Sequence, residues 1–286
     1  RGYNDATAGL ALSVIATVCA AVAGFAAVPG VPGAPNVLLA AAAGGATSVV
    51  ALRVSGCGVV TVTAVSCCAA IVAVTALVGV ISGAPPHVIA AAAGLASLSL
   101  LTVAARASIA LAGLSPRLGT PDVAETEPSD AVLRSRAVRA DRWLTSLLAG
   151  LSLSATVAAV VTVLAGAPRL TCTAFGTLTG ALLLLRSRST DTRRTLVFVI
   201  SGIAIAATTF AVTATRTGMN GPWIAAATTT SVALAMFLGF VGPERPASPL
   251  LHRGAGLLEW LALAAMVPLT CWICGLYGAV RGWSLA

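Results

Sequence analysis

The chain has 286 residues, of which 58% are hydrophobic and only 9% are charged, and its mean hydropathy is +0.97. Soluble domains carry about 25% charged residues, so this composition excludes an ordinary soluble domain and predicts a polytopic membrane protein. All 17 basic residues are arginines, and they give a formal net charge of +8. They lie at the ends of apolar segments and are not pooled in one region, which argues against nucleic-acid binding.

A membrane-spanning helix needs about 20 mostly apolar residues. Glycine and proline separate the apolar segments, for example in "VPGVPGAPN" after the first and "GAPPH" after the third. The sequence therefore predicts an all-α polytopic fold with short loops. Its nine predicted spans are residues 7–28, 37–53, 57–82, 88–106, 143–166, 170–186, 195–215, 223–242 and 257–280.

One long polar segment, residues 107–142, separates a membrane domain of four spans (1–106) from one of five (143–286). Its last part, "LRSRAVRADRW", is expected to form a short amphipathic helix on the cytoplasmic surface, with an arginine-rich face. We expect this helix to contact anionic lipid headgroups or an acidic patch on a partner, although a role in fixing topology alone remains open. Nucleic-acid binding is disfavoured because no aromatic residues alternate with the basic ones. The residues concerned are Arg134, Arg136, Arg139 and Arg142.

The arginines also predict an orientation. With nine spans, fourteen of them fall on one side of the membrane and three (Arg169, Arg216 and Arg281) on the other. Basic residues near helix ends stay cytoplasmic, so the N-terminal side should be cytoplasmic and the C-terminus periplasmic, in the plasma (inner) membrane. Aromatic residues are expected to anchor the helices at the two interfaces. These interface anchors are Trp143, Trp223, Trp260, Tyr277 and Trp283.

Chemistry-bearing residues are scarce inside the predicted spans. Glu259 is the exception, and we expect it to extend to the membrane interface, to pair with Arg253 or His252, or to contact another subunit. The seven cysteines lie in or beside apolar runs, and "CWIC" lacks the context of a redox motif. The sequence thus predicts no catalytic set, no metal and no cofactor, and no enzyme. A transporter for a neutral or apolar solute remains an alternative, with a weak polar site at residues 228–231.

Two packing features stand out. "GTLTG" places Gly176 and Gly180 at a spacing that lets helices approach closely. This spacing indicates ordinary helix packing more often than a dimer face. Pro268 falls within the last predicted span, where it should kink the helix and either shape a cavity or fit a neighbouring helix.

Two stretches resemble a known family. "LLEWLALAAMVPLTCWICGLYGAVRGWSLA" (257–286) and "RAVRADRWLTSLLAGLSLSATVAAV" (136–160) are similar to EccD, the multi-span component of actinobacterial type VII (ESX) secretion systems. The resemblance implies a cytosolic ubiquitin-like domain and eleven spans, of which this chain would hold the last nine. It also implies a homodimer around a lipid-filled vestibule and contacts with EccB, EccC (the ATPase) and EccE. The expected function is therefore a structural frame that docks partners on its cytoplasmic side.

Overall fold

The computed structural model describes residues 6–30, 33–55, 59–111, 130–166, 170–187, 192–216 and 249–275, with isolated positions at 222–233 and Tyr277. Within these ranges the chain forms eight helices and no strand. The helices are α1 (Ala6–Ala26), α2 (Ala34–Ser55), α3 (Val59–Ser82), α4 (Pro86–Leu111), α5 (Asp130–Gly166), α6 (Leu170–Arg186), α7 (Thr192–Arg216) and α8 (Pro249–Ile273).

The predicted all-α polytopic fold is confirmed. Seven of these helices (α1–α5, α7 and α8) are long and apolar enough to cross a membrane, and α6 is a shorter apolar helix. Such helices suit a bilayer because they satisfy every backbone hydrogen bond internally. The predicted span at 223–242 lies mostly outside the described residues, so the total of nine remains a prediction.

The long segment at 107–142 differs from its prediction. Helix α4 continues to Leu111, and α5 already begins at Asp130. The arginine run does not form a separate surface helix; it is the first part of α5, which continues without a break through the span to Gly166. The physical reason is that neither glycine nor proline interrupts residues 130–149, so nothing ends the helix before the membrane.

Helix α5 lies at the centre of the bundle. It packs against α3, α4, α6 and α7, and 56% of its span is buried, against 17% for α1 and for α8. Helix α1 packs on α2, α2 on α3, and α8 on α6 and α4. The completely or almost completely buried side chains of the core include Leu98, Phe175, Leu182, Leu183, Ile205 and Met266.

Glycines and hydroxyl side chains make this close packing possible. A Cβ added at Gly94 of α4 would lie 2.9 Å from Cζ of Phe175 on α6. Most serine and threonine hydroxyls donate to carbonyls of their own helix, as Thr162 does to Ala158. Two hydroxyl pairs join neighbouring helices: Ser48 with Ser66 at 2.7 Å and Ser154 with Ser97 at 2.9 Å. Among the described residues, every buried hydroxyl has a hydrogen-bond partner within the protein.

Asn36 fixes the turn between α1 and α2. Its side-chain amide donates to the carbonyls of Phe25 and Val28 at 3.0 and 3.1 Å, and its Oδ1 accepts the Gly33 N–H at 3.1 Å. Because Asn36 is buried, it satisfies backbone groups that lipid could not. The next hairpin relies on Gly83, which ends α3 in the left-handed region (φ +62°) and donates to the Gly79 carbonyl.

Candidate functional site

Two ion pairs connect helices at one end of the bundle. Nε of Arg186, the last residue of α6, contacts Oε1 of Glu259 on α8 at 2.5 Å. Arg194 near the start of α7 pairs with Asp141 on α5, and its Nε donates to Oγ1 of Thr145 at 3.2 Å. The ends of α6 and the beginnings of α5, α7 and α8 therefore lie on the same side of the bundle.

Glu259 has a partner that the sequence did not suggest. The structure pairs it with Arg186. The side chains of Arg253 and His252 lie outside the described residues, so a contact with either of them stays a prediction. Arg186 and Glu259 are distant in sequence, so only the packing of α6 on α8 brings them together. The side chains of Arg186 and Glu259 are 12% and 31% exposed, whereas Asp141 in the other pair is 64% exposed. The Arg186–Glu259 pair is thus the more sheltered of the two.

A groove between the first turns of α3 and the first part of α5 holds three of the predicted arginines. We call it the α3–α5 groove; its volume is about 690 Å³. The side chain of Arg136 lies outside the described residues, and no carboxylate belongs to the described lining. The groove is lined by Val59, Val60 and Thr63 from α3 and by Arg134, Val138, Arg139, Arg142, Trp143 and Ser146 from α5.

A second cavity, of about 390 Å³, lies towards the opposite end of the bundle, between α1, α2, α3, α4 and α5. Its wall consists mainly of apolar residues such as Phe25, Ile71 and Val157. The hydroxyls in the wall are already engaged: Thr75 donates to the Val72 carbonyl, and Ser154 bonds Ser97 and the Leu151 carbonyl. The cavity suits hydrocarbon better than a polar substrate.

Of the predicted aromatic anchors that the structure describes, three are exposed, but Trp143 and Trp260 lie within α5 and α8 and not at their ends. Trp223 and Trp260 are 81% and 71% exposed, while Trp143 is half-buried in the α3–α5 groove. Sequence reasoning missed Trp272, which is exposed near the end of α8, with its ring 6.0 Å from that of Tyr277 in an edge arrangement. Trp283 lies outside the described residues.

The glycine pair on α6 packs inside the chain. A Cβ at Gly176 would lie 2.6 Å from Cγ2 of Val163 and 2.7 Å from Oγ1 of Thr209. Gly180 faces Gly202 and Ile205 of α7. Within this chain, the two glycines of "GTLTG" therefore let α6 lie close to α5 and α7.

Pro268, His87 and the cysteines add no reactive site in the described residues. Helix α8 continues past Pro268 to Ile273, with the proline exposed, and the kink stays a prediction. His87 is the buried second residue of α4. Cys271 and Cys274 are free thiols. Among the described residues, no three His, Cys, Asp or Glu side chains come close enough to hold a metal ion.

Comparison with known proteins decides the family. A family model described as "EccD-like transmembrane domain" matches residues 1–283. The chain belongs to the EccD family. Two curated EccD relatives, both named "ESX-4 secretion system protein eccD4" from strains of Mycobacterium tuberculosis, are 56% identical over 288 residues. The match covers 98% of this chain but 62% of each relative, so the chain spans less than two thirds of their length.

The EccD fold also matches solved structures. A chain titled "Structure of protomer 1 of the ESX-3 core complex" superposes with a TM-score of 0.74 at 22% identity, covering 97% of this chain and 65% of that one. A chain of the "MycP5-free ESX-5 inner membrane complex, State II" gives 0.57 at 20% identity, covering 84% and 61%. At these identities the likeness establishes the fold alone.

Proposed function

We propose that this chain is the membrane frame of a type VII protein-secretion complex in the inner membrane and that it acts without catalysing a reaction. One observation carries the proposal: the EccD-like family model matches residues 1–283, and the 56% identical relatives are named as ESX-4 secretion proteins. The two structural neighbours come from ESX core and inner-membrane complexes, which supports a place in a multi-subunit assembly.

The proposed mechanism is packing. Two copies pair and enclose a lipid-filled vestibule in the membrane. The described bundle supports this because its outer helices expose apolar side chains that need a hydrocarbon or protein neighbour. Leu12 and Ile15 on α1 are 67% and 58% exposed, and Leu257 and Leu261 on α8 are 64% and 68% exposed.

The cytoplasmic end is the proposed docking side for subunits of the EccB, EccC and EccE type. Arg134, Arg136, Arg139 and Arg142 begin α5 there, next to the polar connection at 112–129. Exposed guanidinium groups favour acidic partners and anionic lipids. Glu259 is a weaker candidate for a contact between subunits because Arg186 already binds it within the chain.

The transporter alternative has less support. Its polar site was expected at residues 228–231, and the two described members, Thr229 and Thr230, donate their hydroxyls to the Ala226 carbonyl. Hydroxyls that are bonded within their own helix have little left to offer a solute.

Co-purification from the native host tests the frame. The tagged full-length protein, extracted in mild detergent, should bring down EccB-, EccC- and EccE-type subunits. Reversing charge at Arg136, Arg139 and Arg142 should reduce their yield severalfold without changing membrane insertion, because these side chains are proposed to meet acidic surfaces. The control is Arg53→Glu, which reverses the charge of an exposed arginine at the end of α2, on the same side of the bundle. Wild-type protein that elutes alone would contradict the proposal.

A further inference from the structure

We propose that the α3–α5 groove is a binding site for one anionic phospholipid, whose phosphate is held by Arg134, Arg139 and Arg142. The site does not depend on the secretion role, because it requires only that the bundle lie in a membrane. The proposal is more specific than a general attraction between arginines and an anionic membrane surface, because it assigns one lipid molecule to one groove.

The described lining of the groove carries three arginines and no carboxylate. In the described part of the chain, Arg134, Arg139 and Arg142 make no ion pair, whereas Arg186 and Arg194, at the same end of the bundle, each bind a carboxylate. Positive side chains that converge on one groove repel one another unless an anion neutralises them. An arginine binds a phosphate through two parallel N–H···O bonds, which a lone surface charge cannot do.

The rest of the groove suits a lipid and not a free anion. Val59 and Val138 are 45% and 48% exposed and, with Val60, form an apolar wall. Trp143, half-buried in the same lining, is of the type that lies at the level of lipid headgroups. The volume of about 690 Å³ is within the usual range of small-molecule sites, about 300–1,000 Å³. It accommodates a headgroup and the beginning of its acyl chains.

The position of the groove agrees with this ligand. It lies between two helices at the end of the bundle where the apolar part of α5 meets its basic first turns. Basic pockets between membrane helices on the cytoplasmic side bind the headgroups of anionic lipids such as cardiolipin. A bound lipid would also connect α3 to α5 and thereby stabilise their contact, since a ligand that binds only the folded state raises its stability.

Lipid titration of the purified full-length protein tests the site. In detergent, native mass spectrometry should show bound phosphatidylglycerol or cardiolipin, and either lipid should raise the unfolding temperature. Phosphatidylcholine should bind and stabilise the protein only weakly. Arg142→Gln should lower the affinity at least severalfold, and Arg142→Lys should lower it less because lysine keeps the charge but loses the bidentate contact. Arg53→Gln is the matched control. It removes one positive charge from the end of α2, on the same side of the bundle but outside the groove lining, and should bind lipid like wild type.

Several outcomes would overturn the site. Equal losses in Arg142→Gln and Arg53→Gln would mean that only general surface charge matters. Equally tight binding of glycerol phosphate would identify a free-anion site. Lipid binding that appears only after Asp122, Glu125 and Glu127 are neutralised would assign the groove to the acidic connecting segment of the chain itself. Failure of subunit co-purification with lipid binding intact would remove the frame proposal and leave this site standing.

Discussion

At the scale of single residues, the Arg186–Glu259 pair is the sheltered polar contact between α6 and α8. Removing one partner leaves the other charge partly buried and unpaired, which costs more than losing an exposed pair. Glu259→Gln should therefore lower the free energy of unfolding by about 1–3 kcal/mol. Asp141→Asn is the control, because its carboxylate is 64% exposed and exposed pairs contribute about 0–1 kcal/mol. Thermal unfolding in nanodiscs measures both, and a larger loss in Asp141→Asn would refute the ranking.

Gly176 is a second residue whose role follows from distance. A Cβ there would lie 2.6 Å from Val163 and 2.7 Å from Thr209, so Gly176→Ala forces α5 and α7 away from α6 and should cost about 1–3 kcal/mol. Gly180→Ala should cost less, since its nearest neighbour would be 3.4 Å away.

Gly9 provides the matched control for Gly176. It is also in a helix, but no atom lies within 4 Å of a Cβ added there. Gly9→Ala should be neutral or slightly stabilising, because alanine is the better helix former by about 1 kcal/mol. The same unfolding measurement in nanodiscs compares all three variants. Equal losses of stability in the three variants would show that close packing of α6 against its neighbours does not cause the loss at Gly176.

For the polar residues Glu259 and Asn36, the sequence indicates that they are unusual but not which groups they bind. Glu259 stood out in the sequence because an acid within an apolar run is rare, yet its described partner, Arg186, lies on another helix, where sequence adjacency could not point to it. Asn36 carried a weak signal, a polar residue at the start of an apolar segment after "GAP". Its three bonds across the α1–α2 turn depend on the hairpin geometry, which the sequence does not state.

At the scale of elements, the continuity of α5 is the main departure from the sequence prediction. Spin labels at the exposed positions Ala137 and Ala165 should be about 42 Å apart along a continuous helix that rises about 1.5 Å per residue. A helix that bent at Trp143 to lie on the membrane would shorten this separation to about 34 Å. Pulsed electron–electron double resonance, with the native cysteines replaced, measures the distance. The shorter value would show that the arginine run forms a separate helix on the membrane surface.

Most helix positions followed from the sequence, but their arrangement did not. The runs of apolar residues between glycine and proline predict the described spans within a few residues at most ends. A segment that is apolar on every side, such as "VVTVTAVSCCAAIVAVTALVGVIS" of α3, has no polar face to show which side is buried. The central position of α5 therefore emerges only from packing.

At the scale of the whole molecule, the central helix α5 is surrounded by outer helices whose side chains are largely exposed. Helices α1, α2 and α8 expose apolar side chains, and the described ion pairs and the α3–α5 groove lie at one end. This polarity suits a frame that meets lipid or another copy at its sides and partners at its basic end. The arginine distribution predicts that this end is cytoplasmic, because basic helix ends remain in the cytoplasm.

The orientation of the bundle tests this account most directly. Single cysteines replacing Ala137, at the basic end of α5, and Ser82, at the opposite end of α3, can be probed in intact spheroplasts with a membrane-impermeant maleimide. We expect Ser82→Cys to react from outside and Ala137→Cys to react only after the membrane is permeabilised. Reaction of Ala137→Cys in sealed spheroplasts would place the arginine-rich end outside the cell and contradict a frame that docks its partners from the cytoplasm.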